Sequence, residues 1–163
     1  MSALAPARAP RVIASLDELR GLVGAEVAVS DWLEVDAERI AAFAEATGDH
    51  QWIHLDAERA ARESPYGGVV AHGYLTLSLI PALRATAMTI EGVGMAINYG
   101  LNRVRFPAPL VAGRRVRGRF TLAALEAIEG GAHLTWQVTV AEEGAAKPCC
   151  VAEVLTRLYA AKR

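Results

Sequence analysis

The residues best suited to chemistry fall in two short runs, TGDHQWIH (47–54) and VAHG (70–73). A carboxylate and an imidazole that converge, here Asp49 and His54, can grip one water. Adding that water across a C=C bond needs such proton traffic, one group taking a proton from water while the other supplies one to carbon. The substrate must then carry a carbonyl conjugated to the double bond, and the oxygen of the developing enolate needs a donor. Gly73 stands where a helix should begin. A backbone N–H there is free and lies at the positive end of the helix dipole, which makes it the candidate oxyanion contact. The reaction calls for no organic cofactor and no metal.

This pairing constrains the elements around it. On a continuous helix Asp49 and His54 would lie about 140° apart around the axis and could not share one small molecule. Gly48 removes the difficulty. Asp36 reads as the N-cap of a helix in which Ile40, Phe43, Ala44 and Thr47 share a face, and Gly48 can end it as the residue past the C-cap. Residues 49–54 are then expected to be non-helical. Asp56 caps a second short helix through Arg62, and SPYGG (64–68) is a loop by its turn residues. Residues 73–86 are apolar on nearly every side, which predicts a helix buried all round, with a kink or early end at Pro81.

Ser15 and Glu18 have capping-box spacing and predict a short helix to about Gly24, followed by β structure over 26–35. After Gly92 the pattern becomes a meander of strands, roughly 93–106, 114–128, 132–142 and 149–160. Leu134, Trp136, Val138 and Val140 alternate inward against His133, Thr135, Gln137 and Thr139 outward. A buried helix and an antiparallel sheet give an α+β domain in which the sheet curls around the helix. Residues 1–163 read as one domain, with 1–11 a flexible lead-in.

Apolar residues make up 53% of the chain and charged residues 21%, a globular composition. Seventeen Lys and Arg against 18 Asp and Glu leave a net charge of -1, which offers no general attraction for nucleic acid or an anionic membrane. No apolar run approaches the roughly 20 residues of a membrane-spanning helix, and the N-terminus lacks a secretory pattern. With only Cys149 and Cys150, adjacent and expected on opposite faces of a strand, a disulfide framework is not indicated. The cytoplasm is the expected compartment.

Three stretches, ATGDHQWIHLD (46–56), AHGYLTLS (71–78) and LNRVRFPAP (101–109), resemble MaoC-like (R)-specific enoyl-CoA hydratases, particularly their NodN-like branch. The resemblance spans roughly residues 25–160. It implies a hot-dog fold, in which an antiparallel sheet wraps a central helix, and a homodimer. It also implies Asp49 and His54 as the acid/base pair, Gly73 as the oxyanion contact, and Ser78 as support for the carboxylate. The motif commonly has Asn and Pro where Gln51 and Trp52 stand here. Gln51 can offer an amide to the same hydrogen-bond network, whereas Trp52 is expected to reshape the acyl pocket. Arg103 and Arg105, inside the third stretch, are candidates for the phosphates of an acyl-CoA or the surface of an acyl carrier protein.

Blander readings compete at each position. Asp49 can be a helix-end residue, and His72 a loop brace. His50 and His54 have the i, i+4 spacing of helical zinc ligands, with His72 and Asp49 to complete a site, but Gly48 argues against a helix through both histidines. The arginines at 103, 105, 114, 115, 117 and 119 fit a solvated sheet face, Trp32, Trp52 and Trp136 fit packing, and so do the cysteines. The leading expectation is reversible hydration of a trans-2-enoyl-CoA to an (R)-3-hydroxyacyl-CoA. The alternatives are a 3-hydroxyacyl-[acyl-carrier-protein] dehydratase, a hot-dog thioesterase and a non-catalytic acyl-binding subunit.

Overall fold

A computed structural model describes residues 9–161. The helical layer begins with α1 (Leu16–Arg20) and continues through α2 (Ala37–Thr47), α3 (Trp52–Leu55), α4 (Ala57–Glu63), α5 (Gly73–Ser78) and α6 (Ile80–Ala87). The main sheet comprises β2 (Glu26–Val29), β3 (Leu33–Val35), β5 (Val93–Arg105), β6 (Arg114–Ile128), β7 (Gly131–Glu142) and β8 (Cys150–Ala160). Its strand order is β2-β6-β7-β8-β5, with β3 also on β6 and every pairing antiparallel. The α+β, hot-dog expectation holds, with the sheet left open: among the described residues β5 forms one edge and has a ladder partner only in β8.

Alternation builds the core. On β7, Leu134, Trp136, Val138 and Val140 are buried, and on β6 so are Val116, Phe120 and Leu122. Opposite them sit Leu75, Leu79, Ile80 and Leu83 of the helical layer. Gly118 permits the close approach, since a Cβ there would lie 2.8 Å from the Phe120 ring and 3.2 Å from Leu83 Cβ. Burying side chains of this size stabilises a fold by roughly 1.5–3 kcal/mol each.

Several expectations need correction. The predicted helix over 73–86 is two helices, because Leu79 interrupts it and Pro81, lacking an N–H, sits in the first turn of α6. It is not buried all round, for Tyr74, Ser78, Pro81, Ala82 and Ala85 form an exposed stripe. The β segment over 26–35 is split, with Ser30 leaving the ladder to exchange hydrogen bonds with Gly118 through both its N–H and its Oγ. Residues 1–8 of the expected lead-in lie outside the described residues, while Arg11, its last residue, opens β1 (Arg11–Ile13), which pairs in parallel with β4 (Met88–Ile90). Neither of these short strands carried a sequence signal. In the capping box Ser15 Oγ accepts from the Glu18 N–H as expected, but the Glu18 carboxylate accepts from Ala14 rather than Ser15. Cys149 and Cys150 are both buried and unpaired. Among the described residues no helix is long and apolar enough to cross a membrane.

Candidate active site

The site is assembled from two chain breaks. Asp36 caps α2 through its side chain, and Gly48, in the left-handed conformation at φ 77°, ends it. Asp49, His50 and Gln51 continue without helix, but the expectation of a non-helical stretch as far as His54 fails. Gln51, with ψ 135°, breaks the chain direction, and a new turn, α3, starts at Trp52 and carries His54. The second break is at His72, with ψ 136°, immediately before α5.

These breaks bring Asp49, His54 and His72 together. Each offers one side-chain atom that lies within 4.8 Å of the others. His54 is buried, and its Nδ1 is 2.6 Å from the Val70 carbonyl. A carbonyl only accepts, so Nδ1 carries the proton and Nε2 is the nitrogen left for chemistry. His72, 2% exposed, stacks on His54 with ring centroids 3.7 Å apart and planes 24° apart. Its Nε2 donates to the Asp49 carbonyl at 3.0 Å and stands 4.0 Å from the Asp49 carboxylate. Phe43 of α2 also packs against the His72 ring, centroids 5.0 Å apart. The Nδ1 of His72 is buried with no hydrogen-bond partner among the described residues. Asp49 itself is half-exposed, with one carboxylate oxygen near the Gln51 N–H at 3.4 Å. One wall of the site is therefore buried imidazole and the other an accessible carboxylate.

His72 was expected as a supporting residue of the site, with loop bracing as its blander role. It does brace the Asp49 backbone, and it also forms the floor under His54. The anchor for His54, the Val70 carbonyl, has no sequence signal, because every residue has such a group. Gly73 opens α5, and its N–H has no acceptor among the described residues. A Cβ at this position would lie 2.8 Å from the Phe106 ring, so only glycine leaves both the N–H and the aromatic contact in place.

The remaining candidates are less central. Ser78 Oγ donates to the Tyr74 carbonyl at 2.7 Å, on its own helix, and lines a groove between the helices and β5. Gln51 reaches Asp49 through its backbone N–H. Trp52 is half-buried under the Arg59 guanidinium, 4.2 Å from its ring centre. Arg103 and Arg105 are exposed near the end of β5 that leads into Phe106, and Arg105 reaches the Val104 carbonyl. Arg103 faces Glu153 across the ladder. The Glu153 carboxyl is held below its ordinary pKa by hydrogen bonds from Asn102 and Gln137, then by the charge of Arg103. His50 turns away to Glu45 at 2.8 Å. An ion bound by Asp49, His54 and His72 would need lone pairs that converge. Two rings stacked nearly parallel aim theirs side by side, so the cluster fits a small molecule between Asp49 and His54 better than an ion.

The MaoC like domain matches residues 19–144 of this chain. The chain belongs to the MaoC-like family. Among its MaoC-like relatives, the 3-hydroxyacyl-thioester dehydratase Z of Mycobacterium tuberculosis is 48% identical over 151 residues, covering 92% of this chain and 99% of that protein. Nodulation protein N of Rhizobium leguminosarum bv. viciae is 46% identical over 145 residues, covering 87% and 89%. The crystal structure of a MaoC-like dehydratase from Rhodospirillum rubrum superposes with a TM-score of 0.69 at 25% identity, covering 86% of this chain and 94% of that one.

Proposed function

We propose that this MaoC-like chain is a hydro-lyase that adds water reversibly to trans-2-enoyl-CoA, giving (R)-3-hydroxyacyl-CoA. The observation that carries the reading is the convergence of Asp49, His54 and His72 beside the free N–H of Gly73. In the hydration direction a water sits between the Asp49 carboxylate and His54 Nε2. Its oxygen attacks C3 as one of the two groups takes its proton. The thioester oxygen gathers the enolate charge against the Gly73 N–H, and the proton taken from the water is then delivered to C2, which returns Asp49 to its carboxylate and His54 to its neutral form. Dehydration is the reverse. His54 performs its part because Val70 fixes the tautomer, and Asp49 because His72 fixes its backbone.

The name of the mycobacterial relative, a 3-hydroxyacyl-thioester dehydratase, specifies a thioester but not its carrier, so in a second reading the same site dehydrates a carrier-protein thioester. Arg103 and Arg105 suit the phosphate of either carrier. We further propose a cytoplasmic homodimer paired through β5, since an edge strand exposing Met95, Ile97, Tyr99 and Leu101 is a template for a second copy. Light scattering that gives a monomer mass at micromolar concentration would remove that part.

The reaction is tested by loss of the enoyl-thioester absorbance on adding crotonyl-CoA and a longer enoyl-CoA. Wild type should hydrate both. Asp49→Asn and His54→Ala, shown folded by circular dichroism, should each lower kcat by roughly 10²–10⁴-fold. Carrier-protein thioesters turned over while both CoA substrates stand untouched would select the second reading.

A further inference from the structure

The groove that Ser78 lines continues well past it. Its first part, about 380 Å³, runs between Leu77 and Ile80 on the helices and Gly100 and Leu101 on β5. It shares Pro81 and Asn98 with a tighter section of about 140 Å³, which also meets Trp136 and Thr156. That section shares Arg84, Ile90, Ala96 and Leu158 with a third part of about 330 Å³ near Met88 and Val93. The three lie end to end as an open groove along α5 and α6, starting about one turn beyond Gly73.

An apolar groove would suffice for a plain acyl tail, yet the narrow section of this one is polar. Arg84 lines it and is half-buried, and no carboxylate is paired with its guanidinium among the described residues. Burial alone pulls its pKa below the ordinary value, with no neighbouring charge to offset the loss of water. Asn98 and Thr156 are ladder partners across β5 and β8, so their side chains share a face. Thr156 Oγ1 accepts from the Trp136 indole at 3.2 Å, which leaves its own proton to donate. Three donors thus converge where hydrocarbon would be cheaper to accommodate.

We infer that the groove binds the acyl chain of the substrate and that Arg84, with Asn98 and Thr156, receives a carboxylate at its far end, making ω-carboxyacyl thioesters the preferred class. The inference rests on the thioester reading above and deepens it. Arg84 is 11 residues beyond Gly73, which at about 1.5 Å of rise per residue, with the interruption at Leu79, is at most about 16 Å, and its side chain leans back toward the start of α6, so an extended chain of roughly eight to twelve carbons reaches it from the thioester.

The test is calorimetric and needs no turnover. Wild-type protein is titrated with decanoyl-CoA and with the mono-CoA thioester of decanedioic acid. The dicarboxylic thioester should bind roughly ten- to a hundredfold more tightly, the scale of a charge-assisted pair, and Arg84→Met should bring the two affinities together. Equal affinities in the wild type, or a preference that survives Arg84→Met, overturns the inference. Should that variant fold poorly, the wild type alone decides. Its preference should vanish for the six-carbon diacid, which is too short to reach Arg84, and a preference of the same size at both lengths overturns the inference. Wild type that hydrates crotonyl-CoA without preferring the ω-carboxylate defeats this inference alone. A ω-carboxylate preference without hydration defeats the hydratase reading alone.

Discussion

The histidine site and the outer face of β6 handle polar groups in opposite ways. On β6, two arginines are spent on carboxylates: Arg119 makes a two-point contact with Glu26 at 2.8 and 2.9 Å, and Arg115 pairs with Glu143, while Arg117 between them lies over the Trp32 ring. These side chains are partly exposed. In the site, polar groups are spent on the backbone. His54 is held by the Val70 carbonyl and His72 by the Asp49 carbonyl, which leaves His54 Nε2 and one oxygen of the Asp49 carboxylate uncommitted. Surface charges that satisfy one another have little left to offer a substrate. A site must hold its groups rigidly by atoms that do not react, and carbonyls of fixed loops serve that purpose.

The strongest way to break this contrast is to disturb the site without touching its acid or base. Gly73→Ala should lower kcat by roughly 10²-fold or more, the scale of losing one oxyanion donor, because its Cβ drives against Phe106 and shifts the first turn of α5. The double variant with Phe106→Leu should recover part of the loss in steady-state kinetics. If Gly73→Ala is as active as wild type, the oxyanion assignment is wrong.

His72 sharpens the comparison at a smaller scale. His72→Leu keeps the volume but drops the bond to Asp49, and kcat should fall roughly tenfold to a hundredfold, as expected for misplaced catalytic groups. His72→Gln, which can still donate to that carbonyl, should be the more active of the two. A pair of variants equally impaired in kcat and equally destabilised in thermal melts would reduce His72 to packing.

The cysteines offer a contrast within the core. Burial pushes the Cys149 thiol up to about 12, helped by the neighbouring Cys150, and burial pushes Cys150 up to about 11. Thiolate, not thiol, is the nucleophile, so native protein at pH 8 should resist iodoacetamide while urea-unfolded protein takes up two labels by mass spectrometry. Rapid labelling of the native protein would contradict the burial.

What could be read from the sequence followed the range of the forces involved. The period of two along β7 and the left-handed Gly48 are local signals, and the strands and the end of α2 fall where those signals put them. The gathering of Asp49 and His54 was legible because Gly48 left no other way for both to act. The restart of helix at Trp52, the exposed stripe on α5 and α6, and the stacking of His72 on His54 were not legible. Each depends on which segment lies opposite, and residues 18 apart in sequence leave no periodic trace of a stacked pair. Arg84 was hidden for a related reason: inside an apolar helix it reads as one snorkelling charge.

The smallest effect is the one that keeps the contrast honest. Arg119 and Glu26 have good two-point geometry, but their side chains are 42% and 38% exposed, so water and salt screen them. Arg119→Ala should therefore cost about 0.2–1 kcal/mol, measurable in urea denaturation at low ionic strength and smaller in 1 M salt, with hydration kinetics unaltered. A loss well above that range, or a fall in kcat, would mean that the outer face is coupled to the site through β6. The division between charges spent on charges and charges spared for substrate would then fail where the geometry makes it look safest.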